Sequence, residues 1–170
     1  MIAVDANVVL PLLREDDLTG ASRDVRAVAP DWVVPSLLKT ELANALLKDV
    51  KAGFLTPDCA VQAIGTAVDL IARARVVDPP LADVLVTAQR SGLTAYDATY
   101  VVLARSLGLP LVTQDKQILR ACPDVARSMQ QFLAPPEQPM TVRDGSSAYR
   151  TRRQGNRRGT RESSAGESAR

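Results

Sequence analysis

No histidine occurs among the 170 residues. That absence excludes a Ser-His-Asp triad, a Cys-His nucleophile pair and any histidine-ligated zinc site. Cysteine is nearly absent too. Cys59 and Cys122 lie far apart and match no metal-binding spacing, so both are expected to be free thiols in a reducing compartment, with a disulfide as the lesser alternative. No run approaches the roughly 20 apolar residues of a membrane span. The first residues, Met-Ile-Ala-Val-Asp, show no basic region followed by an apolar stretch of signal-peptide length. A cytoplasmic placement without membrane contact is the expectation.

Charge is divided unevenly. Residues 1–133 carry 13 Lys and Arg against 15 Asp and Glu, whereas residues 134–170 carry 8 Arg against 4 acids. The net charge of +2 therefore belongs to the tail. After Leu133 comes Ala-Pro-Pro-Glu-Gln-Pro, then arginines spaced among Ser, Gly and Thr. Few large apolar residues remain to offset the entropy of ordering such a stretch. A domain over 1–133 followed by a disordered Arg/Ser/Gly-rich tail over 134–170 is expected. The tail could add non-specific phosphate affinity or be an inert extension.

Chain composition is 46% hydrophobic, enough for a substantial core. Short apolar runs alternate with helical stretches. Strands are expected at Ile2–Asp5, Trp32–Val34, Arg75–Asp78 and Leu109–Thr113, with a weak fifth around Ala126–Met129. Between them, helical turns are expected from Asn7 to Arg14, and helices over Thr19–Ala29, Leu37–Ala52, Thr56–Arg73, Leu81–Ser91, Ala95–Leu107 and Asp115–Ala121. Such alternation indicates an α/β fold with a parallel sheet covered on both faces. Ligands of open parallel sheets bind at the carboxyl ends of the strands.

Four acids interrupt apolar runs: Asp5, Glu41, Asp97 and Asp115. Each also has an ordinary explanation. Glu41 falls inside the apolar sector of its helix, yet could pair with Lys39 or Lys48. Asp97 sits in a helix apolar on nearly every side, but a first-turn acid also suits the helix dipole. Asp5 ends the first strand, and Asn7 looks better placed than Asp5 to cap the following helix. Asp115 could cap the helix beginning near Lys116, with Thr113 bonded to it and orienting it. Together the four say more than any one. Charged carboxylates are rarely buried without a partner, and four in one pocket repel unless protons or cations neutralise them. A set of oxygen ligands of that kind suits Mg²⁺ or Mn²⁺.

These residues resemble a PIN domain. The likeness covers residues 1 to about 133. It rests on Val4-Asp5-Ala6-Asn7, on Glu41 within Leu38-Lys39-Thr40-Glu41-Leu42-Ala43-Asn44-Ala45, on Tyr96-Asp97-Ala98, and on Leu111-Val112-Thr113-Gln114-Asp115. The compact size is similar to the VapC-type toxins of bacterial toxin–antitoxin modules. The resemblance implies a three-layer α/β/α fold with a central parallel sheet of four to five strands. It implies an endoribonuclease that uses metal-activated water and leaves a 5′-phosphate. Metal binding and catalysis would fall to Asp5, Glu41, Asp97 and Asp115, with Asn7 and Thr113 supporting. A homodimer and a cognate antitoxin covering the cleft are implied as well. Arg14, Lys39, Lys48 and Lys116 are candidate RNA contacts, or ordinary solvated charge.

Two rivals stand beside this reading. A haloacid-dehalogenase-like phosphatase also opens on a strand ending in Asp, but it needs a second Asp where this chain has Asn7. A PIN-like module that binds RNA or protein without cutting is the other.

Overall fold

The computed structural model describes residues 1–135. All of its elements belong to the first of the chain's two units, Met1–Pro136. The expected Arg-rich tail lies, from residue 136 onward, outside the described residues.

The chain begins with β1 (Ile2–Val4), α1 (Ala6–Val9) and a 3-10 turn at Leu10–Leu12. Pro11 has no N–H to give an α-helical bond, so the helical turns expected from Asn7 change to 3-10 geometry there. Then follow α2 (Thr19–Val28), β2 (Trp32–Val34), α3 (Leu38–Lys51) and α4 (Pro57–Ala72). Thr56 caps α4 by accepting from Cys59 N, with Pro57 at the first helical position. After β3 (Arg75–Val76) come α5 (Leu81–Ser91) and α6 (Ala95–Leu107). Gly92 and Gly108, both at positive φ, end these two helices. The series closes with β4 (Leu111–Val112), α7 (Lys116–Ala121), β5 (Ala126–Arg127) and α8 (Met129–Leu133).

Five parallel strands form one sheet in the order β3-β2-β1-β4-β5. Residues alternate across it. Ile2, Val4 and Val112 face one core with Val25, Trp32, Leu38, Leu42, Ile71 and Met129. Ala3 and Leu111 face the other, with Tyr100, Val101, Ala104, Ile118 and Ala126. Helices α2, α3, α4 and α8 thus cover one face, and α6 and α7 the other, with α5 packed outside α6 through Val84, Ala98 and Val102. Burying each large core side chain is worth roughly 1.5–3 kcal/mol.

The expected fifth strand is corrected at its end. It stops at Arg127, and Met129 begins a helix instead. Ser128 and Gln131 form a reciprocal capping box that turns the chain. The Ser-x-x-Gln spacing is present in the sequence, within Arg127-Ser128-Met129-Gln130-Gln131.

The strand order sets the position of the site. The chain leaves β1 for β2 and β3 on one side, then crosses back to place β4 and β5 on the other. β1 therefore lies at the switch point, where a crevice opens beyond the carboxyl ends of β1 and β4. Asp5 follows β1 directly, and its amide donates to Val112 O of β4 (3.1 Å). Among the described residues, no helix is long and apolar enough to cross a membrane.

Candidate active site at the carboxyl end of the sheet

Asp5 is 7% exposed. It occupies the position before α1, but its side chain makes no capping bond. Asn7 does not cap the helix either, contrary to the sequence expectation. Its amide nitrogen donates to Asp5 Oδ2 (2.9 Å) and Thr113 Oγ1 (3.2 Å), and its Oδ1 accepts from Gln114 N (2.9 Å). One side chain thus ties the end of β1 to the end of β4.

Thr113 is fully buried. Its hydroxyl donates to Asp5 Oδ2 (2.6 Å) and accepts from the amide of Asp115 (3.0 Å). It was expected to orient the Asp115 side chain; it holds the Asp5 carboxylate and the Asp115 backbone instead. The reason is directional. Residues two apart in an extended segment share a face, which brings the hydroxyl under the next amide, while the neighbouring strand end supplies the carboxylate.

Asp115 caps α7, with Oδ1 accepting from Gln117 N (2.6 Å) and Ile118 N (2.9 Å). Asp97 forms a capping box with Thr94, its Oδ2 accepting from Thr94 Oγ1 (2.7 Å) and Thr94 N (3.3 Å). Both ordinary explanations for these two acids therefore hold as geometry. The lysine pairing considered for Glu41 does not. Glu41 Oε2 accepts from the hydroxyl of Tyr100 across the two helices α3 and α6.

A common arrangement links the four. Among the described residues, the side-chain hydrogen bonds use one oxygen of each carboxylate: Asp5 Oδ2, Glu41 Oε2, Asp97 Oδ2 and Asp115 Oδ1. No described side chain uses the second oxygen of any of them, although the Ala6 backbone also bonds the Asp5 carboxylate. None of the four is in an ion pair with the described lysines and arginines, whose pairs are Arg14 with Asp16 and Asp49, Arg23 with Glu15, and Arg105 with Asp124.

The acids lie within one another's electrostatic reach. Burial pushes Asp5 up to about 6, and the charges of Asp97 and Asp115 push the same way, against the Thr113 and Ala6 hydrogen bonds. Burial also raises Glu41, aided by the charges of Asp5 and Asp97 and opposed by the Tyr100 bond. Tyr100 is raised by its own burial and then by the charge of Glu41, so it remains a protonated donor. As oriented, no three Asp, Glu or Cys side chains among the described residues are disposed to hold a metal ion. The donor chemistry nonetheless fits a hard divalent cation, because four carboxylates share a region with uncompensated negative charge and unused oxygens.

Sequence reasoning missed Tyr100 and Asp49. Tyr100 lies one helical turn beyond Asp97, a spacing that places it on the neighbouring face. Asp49 is buried and takes Arg14 as its partner, which commits that arginine to the fold rather than to RNA. Removing the tyrosine hydroxyl tests its role. Tyr100→Phe keeps the buried ring and strips Glu41 of its donor. We expect roughly a tenfold loss of catalytic rate, with the acid limb of the pH–rate profile moved to higher pH because the bond that lowers Glu41 is gone. An unchanged profile would remove Tyr100 from the site.

The model of the PIN domain family matches residues 2–122. The chain belongs to that family. Ribonuclease VapC3 of Mycobacterium tuberculosis is 32% identical over 125 residues, covering 72% of this chain and 88% of that protein. Exonuclease VapC9 of Pyrobaculum aerophilum is 42% identical over 79 residues, covering 46% of this chain and 58% of that protein. Among solved structures, PAE2754 of Pyrobaculum aerophilum superposes with TM-score 0.62 at 28% identity, covering 77% of this chain and 85% of that one. A chain from a Klebsiella pneumoniae toxin–antitoxin complex shares the fold at 14% identity and TM-score 0.56, covering 76% and 98% respectively. The phosphatase alternative falls with the family assignment. Asn7, at the position where that enzyme needs its second acid, is bonded to the first one.

Proposed function

We propose that this chain is a Mg²⁺- or Mn²⁺-dependent endoribonuclease. In this reading it is the toxin of a toxin–antitoxin pair, acts in the cytoplasm as a homodimer, and is silenced by a cognate antitoxin. The observation that carries the nuclease is the set of four half-free carboxylates, without a cation partner, at the switch point of a PIN-domain sheet. The names of the relatives, ribonuclease and exonuclease, support it. The toxin role rests on their VapC names. For the antitoxin and a second copy, exposed Val61 and Val68 on α4 and Leu85 and Val86 on α5 offer apolar surface. Two free cysteines suit a reducing compartment.

Asp5, Glu41, Asp97 and Asp115 would hold the ion. When bound, it supplies Lewis acidity toward the scissile phosphate and lowers the pKa of a water. The chain's own groups do the positioning. Thr113 and Asn7 fix the Asp5 carboxylate by one oxygen, and Tyr100 fixes Glu41. Without a cation the cluster repels phosphate.

A circular RNA is the discriminating substrate, since only an endonuclease opens it. The chelator-treated protein is expected to leave it intact. Adding Mn²⁺ should give linear product with a 5′-phosphate, and Asp97→Asn should not. In hundredfold excess over its dissociation constant, Mn²⁺ should also stabilise the fold by about 2.7 kcal/mol. Neither cleavage nor a melting shift at millimolar Mn²⁺ would leave the non-cutting RNA- or protein-binding module as the better account. Digestion of linear but not circular RNA would make the chain an exonuclease.

A further inference from the structure

A groove of about 420 Å³ opens between the start of α3, the loop before α5 and the start of α6. Its walls include Leu37, Leu81 and Tyr96, with Ser36, Asp78 and Thr99 among its polar groups. Tyr96 is 62% exposed, and Leu81 81%. The groove shares the helices α3 and α6 with Glu41, Asp97 and Tyr100, though none of these residues lines it. Leu37 stands one turn before Glu41 on the same side of its helix, and Tyr96 one turn before Tyr100, which binds Glu41. Tyr96 is also the immediate neighbour of Asp97.

Charge limits what can enter. Among the described residues no lysine or arginine lines the groove, and Asp78 contributes a carboxylate, so these walls disfavour a phosphate. A flat, uncharged, aromatic group is accepted. Asp78 is exposed, and its Oδ1 accepts from Ser36 N (2.8 Å), which fixes the side chain and leaves Oδ2 as an acceptor. A carboxylate in that position selects for an amino group.

We propose that this groove binds the base of the nucleotide next to the scissile phosphate, with Tyr96 as the stacking platform and Asp78 as acceptor for an exocyclic amino group. The proposal rests on the ribonuclease reading above and adds a source of sequence preference to it. Single-stranded RNA is recognised largely by bases splayed out and stacked on aromatic side chains. The acids would hold the phosphate end through a bound ion, and the groove, whose described walls carry no cation, would take the base. Cytosine, adenine or guanine at that nucleotide is favoured over uracil.

The test compares the full chain with Tyr96→Ala, Tyr96→Phe and Asp78→Asn on a randomised RNA pool with Mn²⁺. The product ends are sequenced, KM and kcat are measured, and the solution mass is determined by sedimentation. Tyr96→Ala should raise KM at least about fivefold, with a smaller change in kcat, and flatten the base preference beside the cut. Tyr96→Phe should retain both. Asp78→Asn keeps the acceptor for Ser36 N and offers an amide donor to the base, so the preference should move toward uracil. Cleavage by Tyr96→Ala with unaltered KM and preference overturns the subsite and leaves the nuclease standing. A drop in mass for Tyr96→Ala would make the groove an interface between copies of the chain, which also overturns it. No cleavage by the unsubstituted chain removes the nuclease reading and the subsite with it.

Discussion

Asp5→Asn should lose RNA cleavage by roughly a thousandfold while melting at a higher temperature than the parent. The two effects have one origin. Asp5 is almost fully buried, and burial, with the charges of Asp97 and Asp115, pushes its carboxyl up to about 6 from an ordinary 3.8. Keeping it ionised at neutral pH costs the folded state roughly 3 kcal/mol. Asparagine has the same outline, accepts the Thr113 hydrogen bond through its carbonyl, and carries no charge. Part of the cost is recovered, so a rise of several degrees is expected.

The pH dependence follows in sign. Between the unfolded and folded values the folded chain holds a proton that the unfolded chain has released. Stability therefore declines as pH rises through that window, and the cost is complete above it. Glu41 is raised as well and works in the same direction. Urea melts in chelator from about pH 4 to pH 7 should show the parent weakening and Asp5→Asn weakening less. Parallel slopes would mean that the proton on Asp5 is not linked to folding. Full cleavage activity in Asp5→Asn would end the nuclease proposal.

Thr113→Val is expected to damage both properties at once. The hydroxyl serves three partners: the Asp5 carboxylate, the Asn7 amide and the Asp115 backbone N–H. Valine fills the same space and satisfies none of them. Asp5 and Asn7 keep the bond to each other, but three hydrogen bonds are lost, a cost on the order of 3 kcal/mol in sum, a large share of a typical domain's stability. Loss of a group that orients a site carboxylate should reduce cleavage 10- to 100-fold, by order of magnitude. Thr113→Ser keeps the hydroxyl and should retain most of both. Opposite stability effects of Asp5→Asn and Thr113→Val, with loss of activity in each, would separate charge from positioning. A valine variant as stable as the parent would show that the hub does not hold the two strand ends together.

Much of the fold could be read along the chain because its signals are local. Trp32-Val33-Val34 is a strand through its apolar run, and α4 begins where Thr56 and Pro57 say it should. Gly92 and Gly108 end their helices because the left-handed geometry there suits glycine. The short α8 was missed because its capping box, Ser128 to Gln131, overlaps the segment assigned to the weak fifth strand, and five residues carry little helical periodicity. At the site, the four acids stood out because carboxylates interrupt apolar patterns. The cap made by Asp115 could be read as well, but the hydrogen-bond partners of Asp5 and Glu41 did not stand out. Glu41 was weighed against Lys39 and Lys48, its neighbours on the same helix, but its partner is Tyr100, 59 positions away.

What the sequence determined by itself was the order of strands and helices, the identity of the acids and the element each would end or interrupt. Periodicity and capping chemistry act over a few residues, so they survive without a three-dimensional frame. What the tertiary structure decided was which oxygen of each carboxylate the neighbouring side chains and helix amides engage. That choice depends on β1 lying between β2 and β4. This strand order sets Thr113 beneath Asp5, and the packing of α6 beside α3 sets Tyr100 against Glu41, contacts that no local pattern encodes.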